Sequence, residues 1–136
     1  MVENVPPRKA WEALQANSSA ELVDVRTDVE WHFTGVPDLA GVDKQAVLIP
    51  WQVFPTMQVN GEFLEQLRNA GLGPENHLYF LCRTGGRSAA AAATAEAAGF
   101  PHVYNVVGGF EGPVDAEGHR GTAAGWKADD LPWRQS

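Results

Sequence analysis

Cys82 is the only cysteine of the chain, and it opens the string Cys82-Arg83-Thr84-Gly85-Gly86-Arg87-Ser88. A free thiol titrates near about pH 8.5, so a nucleophilic cysteine needs surroundings that favour its anion. The string offers three such features. Gly85 and Gly86 admit backbone angles that let successive amides converge on one point, as in an anion-binding nest. The alanine-rich run after Ser88 predicts a helix over Ala89–Ala98, whose N-terminus carries partial positive charge and unpaired N–H groups. Arg83 and Arg87 add fixed cationic charge close to the sulfur.

The elements that must position this loop are legible in the flanks. The apolar run His77-Leu78-Tyr79-Phe80-Leu81 reads as a buried strand ending at the cysteine. Glu21–Val25, Ala46–Ile49 and Val103–Val107 read as further strands. Helical spacing is expected from Pro6 or Pro7 to about Ala16, and again over Glu62–Asn69. Thr27 followed three residues on by Glu30 has the spacing of a capping box and predicts a short helix carrying Trp31 and Phe33. Trp51–Asn60 shows no clear period and reads as loop. Strands alternating with helices predict an α/β domain built on a mostly parallel sheet, in which ligands sit outside the carboxyl ends of the strands. Cys82 is at such an end. Beyond Gly109 the chain is polar and turn-rich, and Trp126, Leu131 and Trp133 are expected to dock this extension on the domain.

The length of 136 residues suits one domain over residues 1–136 with one core. The formal net charge of −7, without a run of like charges, argues against nucleic acid or anionic membrane as a main partner. A small anionic substrate remains compatible, because the local field outweighs net charge. One cysteine makes no internal disulfide. The N-terminus lacks a basic region followed by an apolar run, and no segment approaches the roughly 20 apolar residues of a membrane span. A cytoplasmic location is the expectation. His32, His77, His102 and His119 share no ligand spacing with Cys82, so neither a metal nor another cofactor is expected.

The string Cys82-x-x-Gly85-x-Arg87 after a strand resembles the active-site loop of the rhodanese (sulfurtransferase) family. Leu22-Val23-Asp24-Val25-Arg26 with Glu30-Trp31, Ile49-Pro50-Trp51, and Tyr104-Asn105-Val106-Val107-Gly108-Gly109-Phe110 resemble other motifs of that family, in consistent order over about residues 7–112. The extension over 113–136 resembles those of some bacterial single-domain members. One segment departs: members often carry Gly-His-Ile-Pro-Gly-Ala where this chain has Gly35-Val36-Pro37-Asp38-Leu39. The resemblance implies a single rhodanese-like domain and a two-step transfer through a persulfide on Cys82. The implied partners are a small anionic sulfur donor such as thiosulfate, or a protein persulfide as donor, and an acceptor that is cyanide, a thiol or a protein cysteine.

For a lone cysteine after a strand, the ordinary reading is a small buried hydrophobe; the loop and its motifs argue for the catalytic one. Arg83, Thr84, Gly85, Gly86, Arg87 and Ser88 are the expected substrate-binding residues. Arg87 either binds the sulfonate end of a donor, the favoured reading, or pairs with a carboxylate and shapes the loop. Arg83 either steers anions at the pocket mouth or is a solvated surface side chain. Asp24 and Arg26 are read as an ion pair that supports the site rather than as an acid–base pair. Trp31, Trp51 and Phe54 either wall the pocket or pack the core. Gly108-Gly109-Phe110-Glu111-Gly112 lacks nucleotide-loop spacing and is a turn. Two other functions stay open: a sulfur carrier with little turnover on small donors, and a cysteine-dependent phosphatase or arsenate reductase. The latter is disfavoured because such enzymes place one more residue between cysteine and arginine.

Overall fold

The computed structural model describes residues 1–135 and is an α/β fold around a five-stranded parallel sheet. Along the chain run β1 (Glu3–Val5), α1 (Pro7–Ala16), β2 (Ala20–Asp24), α2 (Asp28–Thr34), β3 (Val36–Pro37) and β4 (Val47–Leu48). The hairpin strands β5 (Gln52–Val53) and β6 (Gln58–Val59) follow, then α3 (Phe63–Asn69), β7 (His77–Leu81), α4 (Gly86–Ala97), β8 (Val103–Val106) and β9 (Trp133–Arg134). The sheet order is β1-β8-β7-β2-β4, with β7 at its centre.

The centre of the sheet sets the direction of every side chain that matters. Successive residues of a strand point to opposite faces. Leu78, Phe80 and Cys82 therefore join one apolar layer, with Val23, Val25, Phe63 and Leu67 and with Ala91, Ala92 and Ala95 of α4. Tyr79 and Leu81 join the layer on the other face, with Val5, Ala10, Leu14, Leu22, Val106, Phe110 and Trp126. The small alanine side chains allow α4 to lie close against β7 and β8, all three of its core-facing alanines being fully buried.

Several boundaries differ from the sequence reading. The edge strand β1 was not expected; Glu-Asn-Val has no apolar period, and it becomes a strand only by pairing with β8, Asn4 opposite Asn105. The stretch expected as loop contains the small hairpin β5–β6. The helix expected from Ala89 begins at Gly86, so Arg87 and Ser88 belong to its first turn. The short helix after Thr27 has both halves of its capping box in place.

Residues 113–135 lie against the domain. Trp126 is fully buried, its ring edge on Trp11 and its indole N–H donating to the Pro132 carbonyl at 2.7 Å. Trp133 remains 41% exposed, resting edge-on against Phe110. Here the aberrant Gly35–Leu39 segment finds its use: Val36–Pro37 pairs antiparallel with Trp133–Arg134, and the Asp38 amide donates to Pro132. The segment that departs from the family pattern is a docking edge for the extension.

Candidate active site

Cys82 follows the carboxyl end of β7 and is 1% exposed. Its Sγ accepts a hydrogen bond from the Gly85 amide at 3.0 Å and has the Ser88 hydroxyl at 3.2 Å. Gly85 caps α4 with φ +118°, a conformation glycine takes without a Cβ penalty. The Gly85 carbonyl receives the Ala89 amide, so the first-turn N–H groups of α4 are directed toward the cysteine end with no partner inside the helix. A helix N-terminus acts as roughly half a positive charge.

The loop is clamped from below. The Cys82 carbonyl accepts from Phe110 N, and the Arg83 carbonyl accepts from the amides of Glu111 and Gly112. That approach requires Gly109, at φ +63°: a Cβ there would lie 2.5 Å from the Arg83 and Cys82 carbonyl atoms. With its carbonyls so engaged, the loop presents its amides and its exposed members Arg83, Thr84 and Gly86 to the outer side.

Arg87 forms a two-point pair with Glu30, at 2.6 and 2.8 Å. The pair joins α4 to α2, which is the carboxylate contact named as one of the two roles open to Arg87. Burial pushes the Glu30 carboxyl upward, but the Arg87 hydrogen bonds and charge, with bonds from Thr27, hold it below the ordinary carboxylate range. The Arg87 guanidinium is raised further, chiefly by its hydrogen bond to Glu30.

Asp24 and Arg26 are both fully buried and paired at 2.7 Å. Arg26 also donates to the Thr34 hydroxyl and the Gly35 carbonyl, and its guanidinium lies 4.2 Å from the Phe110 ring centroid. Strand alternation places Asp24 with Leu22 and Leu81, on the face opposite Cys82. The pair ties the end of α2 to the sheet and does not meet the sulfur. His77 lies at the other end of β7, stacked on His102, so it is not a base for Cys82.

Trp31 and Phe54 line a pocket of about 230 Å³ with Thr27, Asp28, Pro50, Gln52 and Val53. It sits beyond the carboxyl ends of β2 and β4. Trp51 instead packs edge-on against Phe63 in the core.

Sequence reasoning missed two residues. Glu30 was read as a cap and as part of a motif, although its carboxylate serves both Thr27 and Arg87. Asn105 was read only as part of a motif, yet its Oδ1 accepts from Ser88 at 2.6 Å. A polar residue at a core-facing position inside Val103–Val107 was the available signal.

Residues 3–136 match the family model described as STR4 middle domain. The chain is 34% identical over 135 residues to the uncharacterized protein RP600 homolog of Rickettsia rickettsii, covering 98% of each chain. It is 30% identical to the chloroplastic rhodanese-like domain-containing protein 4 of Arabidopsis thaliana, over 93% of this chain and 24% of that protein. Among solved structures, Rv0390 from M. tuberculosis superposes with a TM-score of 0.90 at 45% identity, over 99% of this chain and 98% of that one. The polysulfide-sulfur transferase homodimer of Wolinella succinogenes superposes at 0.67 with 25% identity, over 99% and 80%. With its parallel sheet, its cysteine loop and relatives matched along nearly its whole length, the chain belongs to the rhodanese-like family, a family of sulfurtransferase type.

Proposed function

We propose that the protein is a sulfurtransferase that carries a sulfane sulfur on Cys82. The observation that carries this reading is the cradle of the sulfur: the Gly85 amide at 3.0 Å and the Ser88 hydroxyl at 3.2 Å, at the N-terminus of α4. In the first step the Cys82 thiolate attacks the outer sulfur of a donor such as thiosulfate. A Cys82–S–S⁻ persulfide forms, the donor S–S bond breaks with its electron pair on the leaving group, and sulfite departs. In the second step cyanide, a thiol or a protein cysteine attacks the terminal sulfur and releases the Cys82 thiolate. Each step is a displacement at sulfur, and no oxidant or metal is consumed. The loop amides of residues 84–88 stabilise the anion as an oxyanion hole stabilises oxygen. Arg87 and Glu30 hold the loop; Arg83, exposed in it, attracts anionic donors.

The test is intact mass after incubation with thiosulfate. Wild type is expected to gain one sulfur (about 32 Da), which cyanide removes as thiocyanate appears. Cys82→Ser should gain nothing. An adduct persisting in Cys82→Ser would defeat the mechanism. Loading only by a protein persulfide would move the reading to a sulfur carrier.

A further inference from the structure

The Ser88 hydroxyl has one hydrogen and two acceptors: Asn105 Oδ1 at 2.6 Å and Cys82 Sγ at 3.2 Å. Asn105 Nδ2 in turn donates to Asn4 Oδ1 at 3.1 Å. Ser88 is fully buried and Asn105 is 5% exposed, whereas Asn4 is exposed. Asn4 and Asn105 are register partners on β1 and β8 and share a face of the sheet. The four side chains thus form a line from the reactive sulfur to solvent.

The two outer bonds, Ser88 to Asn105 and Asn105 to Asn4, point away from the sulfur. Such a chain suits a neutral thiol: the Cys82 S–H donates to Ser88 Oγ, Ser88 to Asn105, and Asn105 to Asn4. A thiolate donates nothing and needs a donor. The same heavy atoms supply one if both carboxamides turn over and the hydroxyl rotates. Asn4 Nδ2 then donates to Asn105 Oδ1, Asn105 Nδ2 to Ser88 Oγ, and Ser88 O–H to the sulfur. Carboxamides present donor and acceptor at nearly equivalent positions, so the reversal needs no backbone movement. Its outer end costs little, because exposed Asn4 exchanges partners with water.

We propose that Ser88, Asn105 and Asn4 form a reversible hydrogen-bond chain whose direction follows the charge on Cys82, with Asn105 and Asn4 as positioning residues. No proton travels along it; the thiol proton leaves to water and the groups turn in place. Under the sulfurtransferase reading, on which the catalytic use of the chain rests, both half-reactions pass through the Cys82 Sγ anion, first as nucleophile and then as leaving group. The charged groups near the cysteine loop are Arg87 with Glu30 and exposed Arg83, while the Asp24–Arg26 pair lies at the neighbouring strand end on the opposite face of the sheet. They set a constant field; the chain is the part that can reverse.

The test is the rate of Cys82 alkylation by iodoacetamide from pH 6 to 10.5, in 0.5 M salt to screen surface charge. Ser88→Ala, which removes the donor, should slow alkylation at pH 7 about fivefold and match wild type at pH 10.5, where thiols are ionised. Asn105→Asp and Asn4→Asp place an acceptor-only group in the chain, and either one keeps the Ser88 hydroxyl turned to position 105 and away from the sulfur. Asn4→Asp should slow the reaction about two- to threefold at pH 7, whereas Asn4→Ala, which removes the contact without imposing a direction, should have the smaller effect. Asn4 is exposed, so its variants fold even if the Asn105 substitution does not. Superimposable profiles for wild type and Ser88→Ala, or equal rates for Asn4→Asp and Asn4→Ala, would overturn the chain. Alkylation requires no sulfur donor, so a failure of persulfide formation in the mass experiment is a separate result.

Discussion

The guanidinium of Arg87 and the carboxylate of Glu30, 57 residues apart in sequence, meet in a two-point pair whose side chains are 19% and 20% exposed. Glu30 Oε1 simultaneously accepts the Thr27 amide. One carboxylate thus caps α2 and anchors the first turn of the helix that follows the reactive loop. Glu30→Gln keeps the capping contact, since Gln serves in a capping box, but loses the charge pair. It is expected to cost about 1–3 kcal/mol in urea unfolding, between the exposed and buried extremes for ion pairs. Sulfur loading should fall as the loop loosens. Unchanged stability and loading together would show that the pair holds nothing.

The same pair predicts a pH dependence. The folded Glu30 carboxyl lies below its ordinary value of 4.5, after its hydrogen bonds and pairing with Arg87 overcome the upward push of burial. A depressed carboxylate contributes stability that is fully present above its unfolded value and is lost as pH falls through its folded value. The stability gap between wild type and Glu30→Gln should therefore be constant near neutrality and narrow below about pH 4.5. A gap that widened on acidification would contradict the assignment.

Gly109 carries a separate prediction. At φ +63° with carbonyl atoms 2.5 Å from a would-be Cβ, Gly109→Ala meets both backbone strain and backbone collision. A loss of more than about 2 kcal/mol is expected, and the Cys82 loop should be displaced even where the domain survives. Thermal unfolding and the alkylation rate of Cys82 read the two effects independently.

The two tryptophans of the extension should behave differently. Trp126 is fully buried and hydrogen-bonded, so Trp126→Ala should cost about 3–5 kcal/mol. Trp133 is 41% exposed and retains contact with Phe110 and the Lys127 ammonium, so Trp133→Ala should cost less than half as much. Equal losses in denaturant titrations would contradict the buried position of Trp126.

Much of the fold was legible because its signals are local. The Thr27–Glu30 spacing, the apolar run ending at Leu81 and the alanine run behind Ser88 each describe their own surroundings. What escaped depends on distant partners. Glu3–Val5 is a strand only beside Tyr104–Val106, and Val36–Pro37 only beside Trp133–Arg134. For the site, the cysteine loop and its helix could be read directly. The carboxylate partner of Arg87 is Glu30, on a separate helix, and the line from Ser88 through Asn105 to Asn4 required the register of the sheet. The alternation of β7, known only once its neighbours are placed, separates Cys82 from Asp24.

The apolar layer holding Val5, Ala10 and Leu14 is the same layer that receives Phe110, Trp126 and Leu131. In a chain made from its N-terminus, that half of the interior stays open throughout synthesis. The edge strand β1 waits for β8, and the indole of Trp126 arrives later still. Such long-range closure slows folding and leaves greasy surface uncovered in the interim. The Cys82 loop, whose carbonyls accept from residues 110–112, is thereby tied to the part of the chain that closes this layer.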